Sequence, residues 1–110
     1  MTAVVTIAER KARALQRRQD AIAAALDDLR VYAQDTGGRF LIFGSAATGN
    51  IRRDSDLDIL VDFPPETEGR AKAQVEEICS RHGVPVDIET VSWSSAGFLE
   101  RVGPHAVVLG

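Results

Sequence analysis

Apolar residues recur along the first third of the chain at the spacing of an amphipathic helix. They follow one another at intervals of seven, four, three and four residues, and charged residues occupy the remaining faces. This spacing predicts a single long helix over Ala8–Gln34 whose apolar stripe packs on the rest of the protein. Gly37 and Gly38 are expected to end it. The stripe consists of Leu15, Ile22, Leu26, Leu29 and Ala33.

Shorter apolar stretches further along the chain have the pattern of strands. Phe40–Phe43 is a compact apolar run, and Asp56–Phe63 alternates so that its odd-numbered residues are predicted to be buried. Val86–Val91 predicts a third strand, and the proline before it favours an edge or a strand end. Ala106–Leu109 predicts a last strand or an extended tail.

Two more helices complete the predicted order. One is expected to open at Thr67 or Glu68 and to end at His82, because a glycine and a proline follow. The other is short and is expected to be capped by Ser94 or Ser95. The small polar residues 44–55 leave room for one helical turn. The resulting order predicts the α+β class, with a small sheet and helices packed on it.

Composition limits the classes of protein that this sequence can represent. The 110 residues make one domain, an N-terminal helix over 1–36 and a core over 39–109. A formal charge of −3 argues against a general nucleic-acid binder, and the single Cys79 excludes an internal disulfide. The apolar runs are too short to span a membrane and the N-terminus lacks a signal-peptide layout, so we expect a cytoplasmic protein.

Charge is distributed unevenly along the chain. Residues 1–53 contain nine Lys or Arg and five Asp or Glu, a net charge of +4, whereas residues 54–110 contain four and eleven, a net charge of −7. Evenly scattered surface charge would not divide in this way. The excess of carboxylates in the second half therefore indicates a specific role for some of them.

Three of those carboxylates fit one chemical site. Asp56 and Asp58 are two apart on a predicted strand and would leave the same face, and Asp87 lies on another strand. If the two strands are neighbours, the three side chains converge, and converging carboxylates require a cation or protons. Mg²⁺ prefers oxygen ligands and substrate phosphates, and two such ions can clamp the oxygens of a phosphoryl or nucleotidyl transfer.

A phosphate site is predicted close to the carboxylates. Gly44 and Ser45 follow a strand and begin a turn toward a helix, where free backbone N–H groups face an anion. Gly44 would let the backbone approach the ligand, and the Ser45 hydroxyl could donate to a phosphate oxygen. Arg52 and Arg53 bring positive charge into the same loop.

The segment FGSAATGNIRRDSDLDILVDF resembles the Gly-Ser-x(10)-Asp-x-Asp signature of the DNA polymerase beta-like nucleotidyltransferase superfamily. The size and layout from about residue 39 to 109 resemble its minimal nucleotidyltransferases. The resemblance implies a small mixed sheet flanked by helices. It also implies catalytic, metal-binding carboxylates at Asp56, Asp58 and Asp87. For nucleotide binding it implies Gly44, Ser45, Gly49, Arg52 and Ser55, of which Ser55 is expected to orient the loop rather than react.

The same resemblance implies an activity and a partner. We expect two Mg²⁺ ions, with Mn²⁺ as a substitute, and ATP as the donor, whose α-phosphate an acceptor hydroxyl attacks with release of pyrophosphate. Many minimal members are antitoxins of HEPN-domain toxins and transfer AMP to a toxin tyrosine. The expected partner is therefore a HEPN-domain toxin in a hetero-oligomer, without direct contact to nucleic acid or membrane.

One departure from the family pattern leaves two alternatives open. Members commonly carry arginines directly after the Gly-Ser, whereas this chain has Ala46, Ala47 and Thr48. Fewer cations near the triphosphate favour an antitoxin that neutralises its partner by contact alone. A nucleotidyltransferase for a small molecule such as an aminoglycoside is the other alternative, although such enzymes usually carry extra domains.

Several conspicuous residues are interpreted as structural. Cys79 is expected in the core, His82 at a helix end, and Trp93 as an anchor for the last helix. His105 has no second histidine at a ligand spacing. The basic run of the first helix is interpreted as a solvated face, with contact to an acidic partner as the alternative. The run consists of Arg10, Lys11, Arg13, Arg17 and Arg18.

Overall fold

The computed structural model describes residues 6–110, so the first five residues of the predicted 1–36 segment lie outside it. Helix α1 spans Ile7–Thr36, slightly longer than predicted. Thr6 and Glu9 form a capping box at its start, and Gly37, with a φ of 80°, ends it in the left-handed conformation. Within residues 6–110, neither α1 nor any other helix is long and apolar enough to cross a membrane.

Four strands form one mixed sheet, in the spatial order β3-β2-β1-β4. Strand β1 (Arg39–Phe43) pairs antiparallel with both β2 (Leu57–Asp62) and β4 (Val107–Leu109). Strand β3 (Val86–Thr90) runs parallel to β2. A mixed sheet with helices against it confirms the predicted α+β class.

Several predicted element boundaries are wrong by one to three residues, among them boundaries of β2, β3 and α3. Strand β2 begins at Leu57, so Asp56 precedes the strand instead of lying on it. Strand β3 ends at Thr90, because Val91 begins a short 3₁₀ turn. Helix α3 spans Pro65–Arg81 and begins before Thr67, since proline is well suited to the first helical position.

One face of the sheet is buried under α1 and α3. The predicted inward residues of β2 are fully buried, and Phe63, just past the strand, is 7 % exposed. Cys79 of α3 is buried as expected, and His82 caps that helix with its Nε2 2.6 Å from Asp28 Oδ2. The buried side chains between the sheet and these two helices form the hydrophobic core, and they include Ile22, Ala25, Leu29, Ala33, Leu57, Ile59, Val61, Ala71, Val75 and Ile78.

Helix α4 (Ala96–Val102) packs against part of the other face of the sheet. Ser95 caps it by accepting a hydrogen bond from the Phe98 N–H at 3.1 Å. The Phe98 ring meets Phe43 of β1 edge to face, with centroids 5.6 Å apart. Trp93 is 87 % exposed, so the prediction that it anchors α4 is wrong, because Phe98 does so.

Candidate active site

Asp58 and Asp87 are direct neighbours in the sheet. Each is the second residue of its strand, and the parallel register of β2 and β3 pairs them with one another. Paired residues of adjacent strands point to the same face and lie about 4.8 Å apart in the hydrogen-bonding direction. The condition that the sequence left open, that the two aspartate-bearing strands be adjacent, is therefore met.

Asp56 lies within electrostatic reach of the same pair although it precedes the strand. Burial, followed by the negative charges of Asp56 and Asp87, raises the pKa of Asp58 above its ordinary value of 3.8. Asp58 is partly buried, whereas Asp56 and Asp87 are exposed. The three carboxylates thus form one interacting group at the end of the sheet where β2 and β3 begin.

Gly44 follows β1 and brings the backbone against that group. Strand β1 pairs Phe43 with Asp58, and Gly44 has a φ of 72°, a conformation that side chains disfavour. A Cβ at Gly44 would overlap the Asp58 carboxylate oxygen Oδ2. Glycine is therefore required here for two independent reasons.

A single helical turn follows, as the sequence predicted for residues 44–55. Helix α2 spans Ser45–Thr48, and the Gly44 carbonyl accepts from the N–H groups of Ala47 and Thr48. Gly49, with a φ of 77°, ends the turn and donates its N–H to the Ser45 carbonyl. The Ser45 hydroxyl makes no hydrogen bond to any residue in 6–110.

Ser55 closes the loop that leads into Asp56. Its hydroxyl accepts a hydrogen bond from the Arg52 N–H at 2.7 Å, and its own N–H donates to the Arg52 carbonyl at 3.1 Å. Residues 52–55 therefore form a fixed turn. The side chain of Arg52 is exposed within that loop.

The donor set of this group suits a hard divalent cation. All three side chains offer carboxylate oxygens, the ligands that Mg²⁺ prefers. Within residues 6–110, no three acidic, histidine or cysteine side chains are placed so that together they could hold a metal ion. An incomplete protein set is compatible with Mg²⁺, because this ion usually takes one or two carboxylates and completes its shell with water and substrate phosphates.

Glu89 is a fourth carboxylate that the sequence analysis did not single out. It lies two residues after Asp87 on β3, is exposed, and shares the face of Asp87. The alternation of Val86, Asp87, Ile88 and Glu89 carries the signal that could have found it.

Comparison with known proteins agrees with this architecture. The fold and the carboxylate group define a small α+β domain suited to phosphate chemistry, and a family model, the nucleotidyltransferase domain, matches residues 22–100. The chain belongs to the nucleotidyltransferase domain family. No curated protein matches the chain. The matched segment contains Gly44, Ser45 and all three aspartates, and it starts within α1, so the first half of that helix lies outside it.

Family membership gives the general activity of this domain, the enzymatic transfer of a nucleotidyl group. The acceptor, the metal and the partner do not follow from that membership.

Proposed function

We propose that this protein is a metal-dependent nucleotidyltransferase that transfers AMP from ATP to a tyrosine hydroxyl of a HEPN-domain toxin, for which it acts as the antitoxin. The observation that carries the catalytic part is the pairing of Asp58 with Asp87 on adjacent parallel strands, beside Gly44. The toxin as acceptor rests on the resemblance to minimal nucleotidyltransferases.

The carboxylate group supports the metal requirement. Three negative charges that interact at one point destabilise the site unless cations neutralise them. Asp56 and Asp58 would hold both Mg²⁺ ions, and Asp87 would hold the ion nearest to the acceptor. When bound, such ions stabilise charge on the reacting phosphate oxygens and lower the pKa of the attacking hydroxyl.

The turn after β1 supports the position of the triphosphate. Gly44 leaves no side chain between the backbone and the carboxylates, and the free Ser45 hydroxyl donates to a phosphate oxygen of ATP. Gly49 and the turn closed by Ser55 hold the loop that leads back to Asp56. Arg52 supplies the positive charge that the loop offers to the phosphates.

The reaction balances with the substrates alone. The acceptor oxygen forms a bond to the α-phosphorus, the bond to the β-phosphate oxygen breaks, pyrophosphate leaves, and the hydroxyl proton passes to solvent. The AMP adds negative charge to the acceptor. On a ribonuclease, such charge near the place where an RNA phosphate binds would block the toxin.

A partner protein is needed to supply the acceptor, because this small domain has little surface around the site that could enclose a small acceptor molecule. Strand β3 is an edge of the sheet, and Asp56 and Asp87 are exposed. A site that is open on this side suits an acceptor that arrives on a protein surface.

The test combines the protein, Mg-ATP and the HEPN-domain protein that we expect a neighbouring reading frame to encode. Intact mass spectrometry of that protein should show added AMP, lost in EDTA and with Asp58→Asn. Glu76→Gln, which removes an exposed carboxylate of α3, is the matched control and should retain transfer. A HEPN protein that is inhibited yet unmodified would reject the enzymatic role.

One observation favours a second function, neutralisation by binding alone. Helix α2 carries Ala46, Ala47 and Thr48 and therefore no cation beside the phosphate turn. In that case Asp56→Ala would still protect cells from the toxin. The catalytic proposal predicts that protection is lost with this variant.

A further inference from the structure

A pocket of about 270 Å³ lies apart from the carboxylates, between α1, the 52–55 turn and the loop after α3. Its walls carry four nitrogen-rich side chains separated by small residues, and no carboxylate lines it. The lining residues are Ala14, Arg17, Arg18, Ala21, Arg53, His82 and Gly83.

Arg18 fixes the shape of this pocket. Its Nε donates to the Arg53 carbonyl at 3.2 Å and its Nη1 donates to the Gly83 carbonyl at 3.3 Å. One guanidinium therefore joins the three segments that line the pocket. A ligand would find the pocket already formed, which lowers the ordering cost of binding.

Two further arginines remain available to a ligand. The exposed guanidinium groups of Arg17 and Arg53 contact no carboxylate anywhere in residues 6–110. Asp28, the carboxylate that contacts the lining residue His82, is also paired with Arg81. A concave site lined by unneutralised arginines concentrates positive potential, although the chain as a whole carries −3.

The position of the pocket links it to the active-site end of the sheet. Arg53 is three residues before Asp56, and Gly83 is four residues before Asp87. The α1 residues of the pocket, 14–21, precede the segment that matches the nucleotidyltransferase family model. The pocket is therefore built partly from sequence outside the shared core.

We propose that this pocket binds a phosphate group at a site distinct from the triphosphate position at Gly44. The planar arginine fork matches a phosphate with two parallel hydrogen bonds, and Ala14, Ala21 and Gly83 leave room for it. The phosphate comes either from a free phosphate compound or from a nucleic-acid backbone, since Arg10 and Arg13 continue the basic row along α1.

Binding is measured in EDTA with Asp58→Asn protein, which separates it from metal-dependent catalysis. Inorganic pyrophosphate is titrated by calorimetry, and a labelled short oligouridine by fluorescence anisotropy. Arg17→Ala and Arg53→Ala should each weaken binding about tenfold. Arg70→Ala, which removes an exposed arginine of α3, should leave it unchanged. Thermal melts check that each variant is folded.

The two sources of phosphate give different results. Pyrophosphate bound as tightly as the oligonucleotide indicates a free phosphate ligand. A much tighter oligonucleotide, with a salt slope that falls by about one per arginine removed, indicates a nucleic-acid backbone.

Three results would overturn the proposal. They are no binding of either probe, equal binding of citrate, and binding that depends on Ser45 but not on Arg17 and Arg53. None of these results bears on the transfer of AMP, which is assayed separately with wild-type protein and Mg-ATP.

Discussion

Removing one charge from the carboxylate group should stabilise the metal-free protein. Asp58 interacts unfavourably with Asp56 and Asp87, and its carboxylate makes no hydrogen bond within the described chain that asparagine would lose. Asp58→Asn keeps the shape of the side chain and removes both the partly buried charge and its repulsion by Asp56 and Asp87. We therefore expect the variant to be more stable than wild type in EDTA.

The size of the effect follows from the spacing of the strands. Two unit charges about 5 Å apart repel by about 0.8 kcal/mol at the dielectric constant of water and by about 3 kcal/mol at an effective value of about 20. Because Asp58 is only partly buried and Asp87 is exposed, screening favours the lower end, about 1 kcal/mol. For a domain of this size, that raises the melting temperature by about 4 °C.

The stability difference between wild type and Asp58→Asn should depend on pH, and the raised pKa of Asp58 gives the direction of that dependence. Since the folded protein raises the pKa of Asp58 above 3.8, the folded state holds this proton more tightly than the unfolded state. Wild type regains the lost stability as the pH falls through the raised pKa toward 3.8, and the advantage of Asp58→Asn should vanish there.

The assay is thermal melting in EDTA from neutral to acid pH, with Glu76→Gln as the control for removing a surface charge. A variant that is no more stable than wild type at neutral pH would show that the carboxylates do not interact. If Asp58→Asn keeps the same stability advantage over wild type at a pH below 3.8, that advantage does not come from the charge of Asp58.

Three further predictions concern the glycine beside the carboxylates, the buried cysteine of α3 and the aromatic contact of α4. Gly44→Ala should lower stability by about 1–3 kcal/mol and abolish most of the transfer activity, because the backbone has a positive φ and the new methyl group would displace Asp58. The control Gly69→Ala in α3 should instead stabilise the protein by up to about 1 kcal/mol. Denaturant unfolding measures both, and equal effects would contradict the argument that a side chain at Gly44 crowds Asp58. Burial raises the pKa of Cys79 to about 11, so a thiol reagent at neutral pH should label it only on unfolding, and prompt labelling of folded protein would contradict its burial. Phe98→Ala should lower the free energy of unfolding by about 2–3 kcal/mol, because it removes the ring contact that anchors α4. Denaturant unfolding measures this change. A change below about 0.5 kcal/mol would mean that other contacts anchor α4.

The sequence predicted the elements of this fold because each carries a local signal. The apolar stripe of α1, the alternation along β2 and the glycine after β1 are all decided by neighbours in sequence. The element boundaries follow less directly from local signals, because Pro65 both ends an extended segment and suits the first position of a helix.

The pairing of strands was not contained in any local pattern. The register that puts Asp58 beside Asp87 depends on α3 returning the chain parallel to β2, a tertiary arrangement. The same limit explains the error at Trp93, since an aromatic residue near a short helix predicts packing, and only the position of Phe98 shows which ring fills the space.

The basic run of α1 shows a third limit. Its spacing predicted a solvated face, and Arg17 is indeed exposed. Arg18, however, turns toward the Arg53 and Gly83 carbonyls, which lie 35 and 65 residues away along the chain. Contacts at such a separation cannot be predicted from the period of one helix.

The most direct test of the central claim is AMP transfer by Asp58→Ala. With ATP labelled on its α-phosphate, Mg²⁺ and the proposed HEPN-domain partner, we expect wild type to label that protein. Because a metal clamp contributes several kcal/mol and each 1.36 kcal/mol is about tenfold in rate, the variant should be slower by about a thousandfold or more. A folded Asp58→Ala protein that retains about a tenth of wild-type activity would contradict the assignment of these carboxylates.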